Sequence, residues 1–200
     1  MLKSIFAGLL AFAASQVAAQ EEPAAPYYDI QSPPFYLTLK SSNASLDGMY
    51  LTPCHEGAAI ESLCLSGPIT TNYTYAHFFY NTSSSEESPT SGLLTWILPA
   101  VDLNVPSSLR FDNNNASNVV MPLFYPGDKD AALVYFTAEN ELRTNWNQDN
   151  TLALPIDSQQ HWFICTTRFG YLYQTLNWVL GTESPQNPTC QSVTVYRKWA

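Results

Sequence analysis

Basic side chains are scarce in this 200-residue sequence, which holds 8 Lys and Arg against 17 Asp and Glu and has a formal net charge of −9. Binding to nucleic acid depends on clustered Lys and Arg that neutralise phosphates, and attraction to an anionic membrane surface depends on polybasic segments. The composition therefore excludes a nucleic-acid-binding protein and a polybasic membrane-surface protein, and we expect no nucleic-acid partner.

Long apolar runs are also missing. The longest run, Ile5 to Ala14, is shorter than the ~20 residues that an α-helix needs to span a bilayer. A Lys precedes this run, and small residues at Val17 and Ala19 follow it, which is the three-part pattern of a secretory signal. The sequence predicts a signal peptide over residues 1–19, no membrane span and a secreted, extracellular protein.

The sequence has no Cys-x-x-Cys pair, which disfavours a zinc knuckle and a thioredoxin-like redox site. It has four cysteines beyond the predicted signal, namely Cys54, Cys64, Cys165 and Cys190. An even count in an exported chain favours disulfide bonds. Three pairings are possible, and we favour Cys54–Cys64 with Cys165–Cys190 because the two members of each pair are close along the chain. We predict no metal site and no cofactor.

Four Asn-x-Ser/Thr sequons agree with export, because this tripeptide is the acceptor for N-linked glycans. The acceptor residues are Asn43, Asn72, Asn81 and Asn115. Three of them lie in polar segments, where a glycan is easily solvated, whereas an aromatic run begins directly after Asn72. We therefore predict a glycoprotein in which Asn72 is the least favoured site.

No long stretch has helical periodicity, and the nearest candidates for helical turns are Ala58–Leu63 and residues 131–143. Short runs with alternating polarity or many aromatic and β-branched residues are separated by turn residues, which is typical of β-structure. These runs are Phe35–Leu39, Met49–Leu51, Tyr73–Tyr80, Leu93–Leu98, Val119–Tyr125, Leu133–Thr137, Trp162–Thr167, Tyr171–Leu180 and Val193–Trp199. We predict an all-β fold with little helix, either a β-sandwich or a closed β-barrel of short antiparallel strands, with a β-trefoil as the alternative.

The expected domain organisation is simple. Residues 20–34 contain four Pro and no periodicity, which predicts an extended arm. Residues 35–200 form a single disulfide-bonded β domain. Within it, Pro126-Gly127-Asp128 predicts a hairpin that pairs Val119–Tyr125 with Leu133–Thr137.

The segment Cys54–Leu65 reads Cys-His-Glu-Gly-Ala-Ala-Ile-Glu-Ser-Leu-Cys-Leu. Together with Trp162–Cys165, Leu176–Gly181 and Asn187–Cys190, it resembles small secreted fungal proteins that carry an uncharacterised domain. The resemblance covers most of residues 35–200. It implies a secreted fungal protein with no assigned activity, so it transfers no functional residue.

The known catalytic motifs are absent. His55-Glu56 resembles the start of the zinc-protease motif His-Glu-x-x-His, but the fifth position is Ala59. No serine has the Gly-x-Ser-x-Gly surroundings of a nucleophile elbow. Glycoside hydrolysis needs two carboxylates at a fixed separation. The candidate pairs are Glu56 with Glu61 and Glu139 with Glu141, although solvated surface acids are the better explanation of such pairs in a chain with 17 acidic residues.

Aromatic residues are plentiful, at 14% of the chain. Flat rings bind sugars by stacking, and Tyr tolerates partial exposure because its hydroxyl faces water. Tyr171 and Tyr173, near a strand start, are the candidate ligand-stacking residues. The favoured function is a non-catalytic extracellular domain that binds a glycan or a protein partner. The alternatives are a small secreted hydrolase with a carboxylate pair and a structural surface protein without a ligand.

Overall fold

The structure, a computed structural model, describes residues 28–69, 72–85, 90–112, 116–144, 161–181 and 183–200. The predicted signal peptide over residues 1–19 and the first part of the predicted arm lie outside these ranges. The described end of the arm is extended, and there Ile30 pairs with Thr82 and Gln31 pairs with Asn81.

In these residues the chain forms fourteen β-strands and one turn of 3₁₀ helix, Thr74–Ala76. The strands are β1 (Ile30–Gln31), β2 (Phe35–Lys40), β3 (Tyr50–Gly57), β4 (Ile60–Ser66), β5 (Phe78–Thr82), β6 (Gly92–Pro99), β7 (Asn104–Asp112), β8 (Val119–Pro126), β9 (Leu133–Phe136), β10 (Leu142–Thr144), β11 (Trp162–Arg168), β12 (Leu172–Val179), β13 (Gln191–Ser192) and β14 (Thr194–Trp199). Over the described ranges, no helix has the length and hydropathy needed to cross a membrane.

Eight strands close into an antiparallel β-barrel in the order β5-β2-β3-β4-β12-β8-β7-β6, and pairing between β6 and β5 completes the ring. The remaining strands extend the barrel wall. β1 pairs with β5, β14 with β2, β11 with β12, and β9 with β6, while β10 pairs with β9 and β13 with β11. The all-β prediction is confirmed, and the architecture is the closed barrel.

The predicted hairpin across Pro126-Gly127-Asp128 is wrong. Strand β8 does not pair with β9, because β7 occupies one of its edges and β4 and β12 share the other. The residues that connect β8 to β9 instead lie along β7. There the Gly127 amide donates to the Pro106 carbonyl, and the Ala132 amide donates to the Leu109 carbonyl. This connection therefore places β9 beside β6, with which β9 pairs.

Two shorter predictions are corrected as well. Ala58–Leu63 is not helical: Ala59 adopts a φ of 57° in the tight turn between β3 and β4, and β4 follows directly. The predicted strand Tyr73–Tyr80 begins only at Phe78, because its first residues form the 3₁₀ turn, in which the Ala76 amide donates to the Tyr73 carbonyl.

Aromatic and aliphatic side chains fill the barrel. The largest fully buried side chains are Trp96, Trp162, Trp178, Phe35, Phe78, Phe124, Leu37, Leu51, Leu63, Leu94, Leu109 and Leu123. Two of these buried indole groups donate hydrogen bonds to backbone carbonyls inside the core. Trp96 Nε1 donates to the Tyr75 carbonyl at 2.7 Å, and Trp162 Nε1 donates to the Leu142 carbonyl at 3.0 Å.

Both predicted disulfides form. Cys54–Cys64 joins β3 to β4 diagonally, since Cys54 lies opposite Ser62 and Cys64 lies opposite Thr52 in the register. Cys165–Cys190 ties β11 to the segment that leads into β13. The first bond therefore cross-links the β3–β4 hairpin, and the second ties down β11, one strand of the β11–β12 hairpin. These two hairpins meet at the site described next.

Candidate functional site

A buried carboxylate fixes the tip of the β11–β12 hairpin against the β3–β4 hairpin. Glu56 is only 3% exposed. Its Oε2 accepts hydrogen bonds from the amides of Gly170 at 2.9 Å and Tyr171 at 3.0 Å, and its Oε1 accepts one from the Ser62 hydroxyl at 2.9 Å. Hydrogen bonds to an ionised group are stronger than neutral ones. The hairpin tip is therefore held in a defined position on β3.

Close backbone contact requires glycine at this tip. A Cβ atom at position 170 would lie 1.8 Å from the carbonyl oxygen of Glu56. Only a residue without a side chain allows the two backbones to approach this closely. A β-bulge between His55 and Gly57 accompanies the contact and interrupts the register of β3 with β4.

Three rings lie side by side where the tip meets β3, and we call them the aromatic row: His55 of β3 and Tyr171 are exposed, and Tyr173 is half-buried. The ring centroids of His55 and Tyr171 are 5.8 Å apart, and those of Tyr171 and Tyr173 are 5.9 Å apart. Tyr171 is 50% exposed. The structure thus brings together the two tyrosines that the sequence singled out as stacking residues and adds an imidazole to them.

A second carboxylate lies beneath the row. Glu61 Oε1 is 3.3 Å from His55 Nδ1, while its Oε2 is buried and has no hydrogen-bond partner in the described part of the chain. Burial raises the pKa of Glu61 above its ordinary value, with a smaller contribution from the charge of Glu56. Burial and the nearby charge of Glu61 also raise the pKa of Tyr75 to about 12.

The two predicted carboxylate pairs differ in their hydrogen-bond and ion-pair partners. Both oxygens of Glu56 accept hydrogen bonds that hold the hairpin tip, whereas Glu61 pairs with His55. In the other pair, Glu141 is buried and forms a 2.8 Å ion pair with Arg143, and Glu139 is exposed. The hydrogen bonds of Glu56 give that residue a structural role.

The three histidines lie in separate environments. His55 belongs to the aromatic row, His77 Nε2 is 3.0 Å from the Tyr36 hydroxyl, and the His161 ring centroid is 5.3 Å from that of Trp178. Burial lowers the pKa of both His77 and His161. Among the described residues, no group of three or more His, Cys, Asp and Glu side chains is placed to hold a metal ion.

The sequons occupy varied positions. Asn43 Oδ1 accepts a hydrogen bond from the Ser45 amide, and its Nδ2 donates to Gln191. Asn81 lies in β5, and its Oδ1 accepts a bond from Thr95. Asn72, the sequon least favoured from the sequence, is exposed, while Asn115 lies outside the described residues.

Comparison with known proteins identifies a family. No curated protein and no solved structure matches the chain. Residues 32–199 match a family described as a domain of unknown function, DUF7907. The match begins just before β2, ends with β14 and includes every residue of the site above. The chain therefore belongs to the DUF7907 family, a domain of unknown function.

Proposed function

We propose that this protein is a secreted, non-catalytic binding domain and that it binds carbohydrate on the aromatic row. One observation carries the proposal: two tyrosine rings and the imidazole of His55 lie next to one another, exposed or half-buried, where β3 meets a hairpin tip that is fixed by Glu56. Rings held in place before binding lose little conformational entropy when a flat ligand stacks on them.

The chemistry of the row suits a sugar better than an apolar ligand. Tyr171 and Tyr173 offer ring faces for the C–H surfaces of a pyranose and hydroxyl groups for its polar edge. The His55 imidazole, whose side chain is 57% exposed, adds a hydrogen-bonding group at the end of the row. A carbohydrate presents both kinds of surface, so we favour it over a protein partner.

Export supports an extracellular ligand. The predicted signal peptide, the sequons and the two disulfides are all properties of proteins that fold in an oxidising compartment. The resemblance to small secreted fungal proteins agrees with this and leads us to propose a fungal origin. Polysaccharides of cell walls are the abundant carbohydrates outside such cells and are the ligands to test.

The test is retention of the purified protein on insoluble chitin, cellulose and β-1,3-glucan. We expect the wild type to be retained on at least one polymer, and Tyr171→Ala with Tyr173→Ala to reduce retention at least tenfold. Tyr171→Phe with Tyr173→Phe keeps the rings and should keep most of the binding. Leu103→Ala, which truncates an exposed apolar residue in the β6–β7 loop, is the control.

Each other outcome is informative. Retention that is the same for the wild type and the double Ala variant would contradict binding on the aromatic row, as would failure to bind any polymer. A parallel assay for released reducing sugars and for proteolysis distinguishes binding from catalysis, because turnover would support the hydrolase alternative instead. Circular dichroism of each variant establishes that it is folded.

A further inference from the structure

We propose that a cleft beside the aromatic row, between the β11–β12 hairpin and strands β7 and β8, binds a single sugar residue. The inference deepens the proposed function and rests on it: the row would hold a glycan chain, and the cleft would hold its terminal residue. The cleft is separate from the row, so it can be tested with a ligand too small to stack along both tyrosines.

The cleft is a cavity of about 260 Å³. Asp112 of β7 and Met121 of β8 line one side, Arg168 and Phe169 at the hairpin tip line the other, and Asn177 of β12 also lines it. Pockets for drug-sized ligands typically enclose ~300–1,000 Å³. The cavity is therefore suited to one small ring and is too small for an oligosaccharide.

Asn177, which lines this cavity, has an unsatisfied hydrogen-bond acceptor. Asn177 is fully buried, and its Nδ2 donates to the carbonyl of Thr175 at 2.8 Å and to the Thr175 hydroxyl at 3.0 Å. A backbone carbonyl only accepts hydrogen bonds, so the atom facing it must be the amide nitrogen. The Asn177 Oδ1 consequently faces elsewhere and has no partner in the described part of the protein. A ligand hydroxyl would satisfy it.

The cavity is also lined by one acidic and one basic side chain, Asp112 and Arg168, which do not form an ion pair with each other. Within the described ranges, neither the Asp112 carboxylate nor the Arg168 guanidinium forms a side-chain hydrogen bond or an ion pair. A carboxylate accepts hydrogen bonds and a guanidinium donates them. A neutral molecule with several hydroxyl groups serves both, whereas a charged ligand would be repelled by one of them. Phe169, which is 40% exposed, and Met121 supply apolar contacts for the C–H face of a pyranose.

The topology connects the aromatic row to the cleft. Side chains two residues apart point to the same face of a strand, so Tyr173, Thr175 and Asn177 share one face of β12 and continue the line that Tyr171 begins. Thr167, which lines the cleft, lies opposite Tyr173 in the β11–β12 register. Tyr173 and Asn177 are four residues apart, roughly 13 Å at ~3.3 Å per residue. Because Thr175 between them is fully buried, a short glycan would pass from Tyr173 to the cleft over Thr167, which is half-buried.

The experiment is titration of the full-length exported protein with free glucose, galactose, mannose and N-acetylglucosamine, followed by calorimetry and by ligand-observed NMR. We expect at least one of them to bind, with Asp112→Asn and Arg168→Gln each weakening the affinity at least tenfold. Both residues are exposed, so these variants keep the fold. Asn177→Leu should abolish binding, and Lys129→Gln, an exposed cation outside the cleft, should change the affinity less than twofold.

The two proposals fail separately. If no monosaccharide binds, or if Asp112→Asn and Arg168→Gln bind as the wild type does, the cleft inference is overturned, even where polymer retention depends on Tyr171 and Tyr173. If a monosaccharide binds through Arg168 but no polymer is retained, the cleft is supported and the aromatic row is not.

Discussion

Glu61 is the residue whose ionisation the fold opposes. Burial raises its pKa above the ordinary value of 4.5. A carboxyl group with a raised pKa in the folded state stabilises the fold below its unfolded-state pKa, and this contribution is lost as the pH rises through the folded-state value. The wild type therefore carries an electrostatic penalty near neutral pH that an uncharged side chain at this position would avoid.

Glu61→Gln tests that penalty. The free energy of unfolding of the variant minus that of the wild type should increase as the pH is raised from 4 to 7, because only the wild type loses stability as Glu61 ionises; urea denaturation at each pH measures it. Glu139→Gln, which changes an exposed carboxylate, should show no such trend. A constant difference between Glu61→Gln and the wild type across this range would contradict the burial of an ionisable Glu61.

At the scale of the element, the β11–β12 hairpin depends on a contact between distant parts of the chain. The Gly170 amide and Glu56 are 114 residues apart in sequence. The hairpin register is continuous from Trp162–Trp178 to Arg168–Leu172, and β12 also pairs with β4 and β8, so the tip ends a hairpin arm whose second strand belongs to the barrel. Without its anchor at Glu56, this arm would lose the contact that orients Tyr171.

Gly170→Ala should release the tip. The added methyl group would clash with the Glu56 backbone, and we expect it to lower the free energy of unfolding by about 1–3 kcal/mol, as overpacking does. The matched control is Gly67→Ala, where a Cβ meets nothing within 4 Å and the change should stay below about 1 kcal/mol. Chemical denaturation measures both. Equal stability of the two variants would count against the close approach.

Local sequence patterns predicted the strands in which polar and apolar residues alternate. They did not predict strands whose formation depends on contacts with residues distant in the sequence. Strand β7 was missed because Pro106, Ser107 and Ser108 look like loop residues, although both serines are buried between β6 and β8. The residues of the candidate site likewise differ in whether the local sequence could predict them. Tyr171 and Tyr173 could be chosen because exposed aromatics near a strand start are recognisable, whereas Asn177 lies in a run that resembles a core strand and gives no local signal of a cleft.

At the scale of the whole molecule, the disulfides close loops of different length. The cysteines of Cys54–Cys64 are 10 residues apart, and those of Cys165–Cys190 are 25 apart. In the chain-entropy description, a cross-link stabilises the fold mainly by restricting the unfolded chain, and the effect grows slowly with loop length. Both bonds therefore contribute substantially, the second somewhat more.

Replacing each cysteine pair by alanine should lower the free energy of unfolding by about 3 kcal/mol, with the larger loss for Cys165→Ala with Cys190→Ala. Urea denaturation without reductant measures the two variants, and the wild type in dithiothreitol provides the comparison in which both bonds are broken. Losses below about 1 kcal/mol for both variants would show that the barrel core alone supplies most of the stability.

Strand β2, the first barrel strand in the sequence, pairs with β14, the last strand of the described residues. Phe35 lies opposite Trp199 and Lys40 lies opposite Thr194. During folding, therefore, one edge of the first barrel strand stays open until β14 has paired with it. An open strand edge next to a large apolar interior is prone to aggregation. A chain in which β14 is missing or displaced would consequently keep this edge of β2 open and would aggregate more readily than the complete barrel.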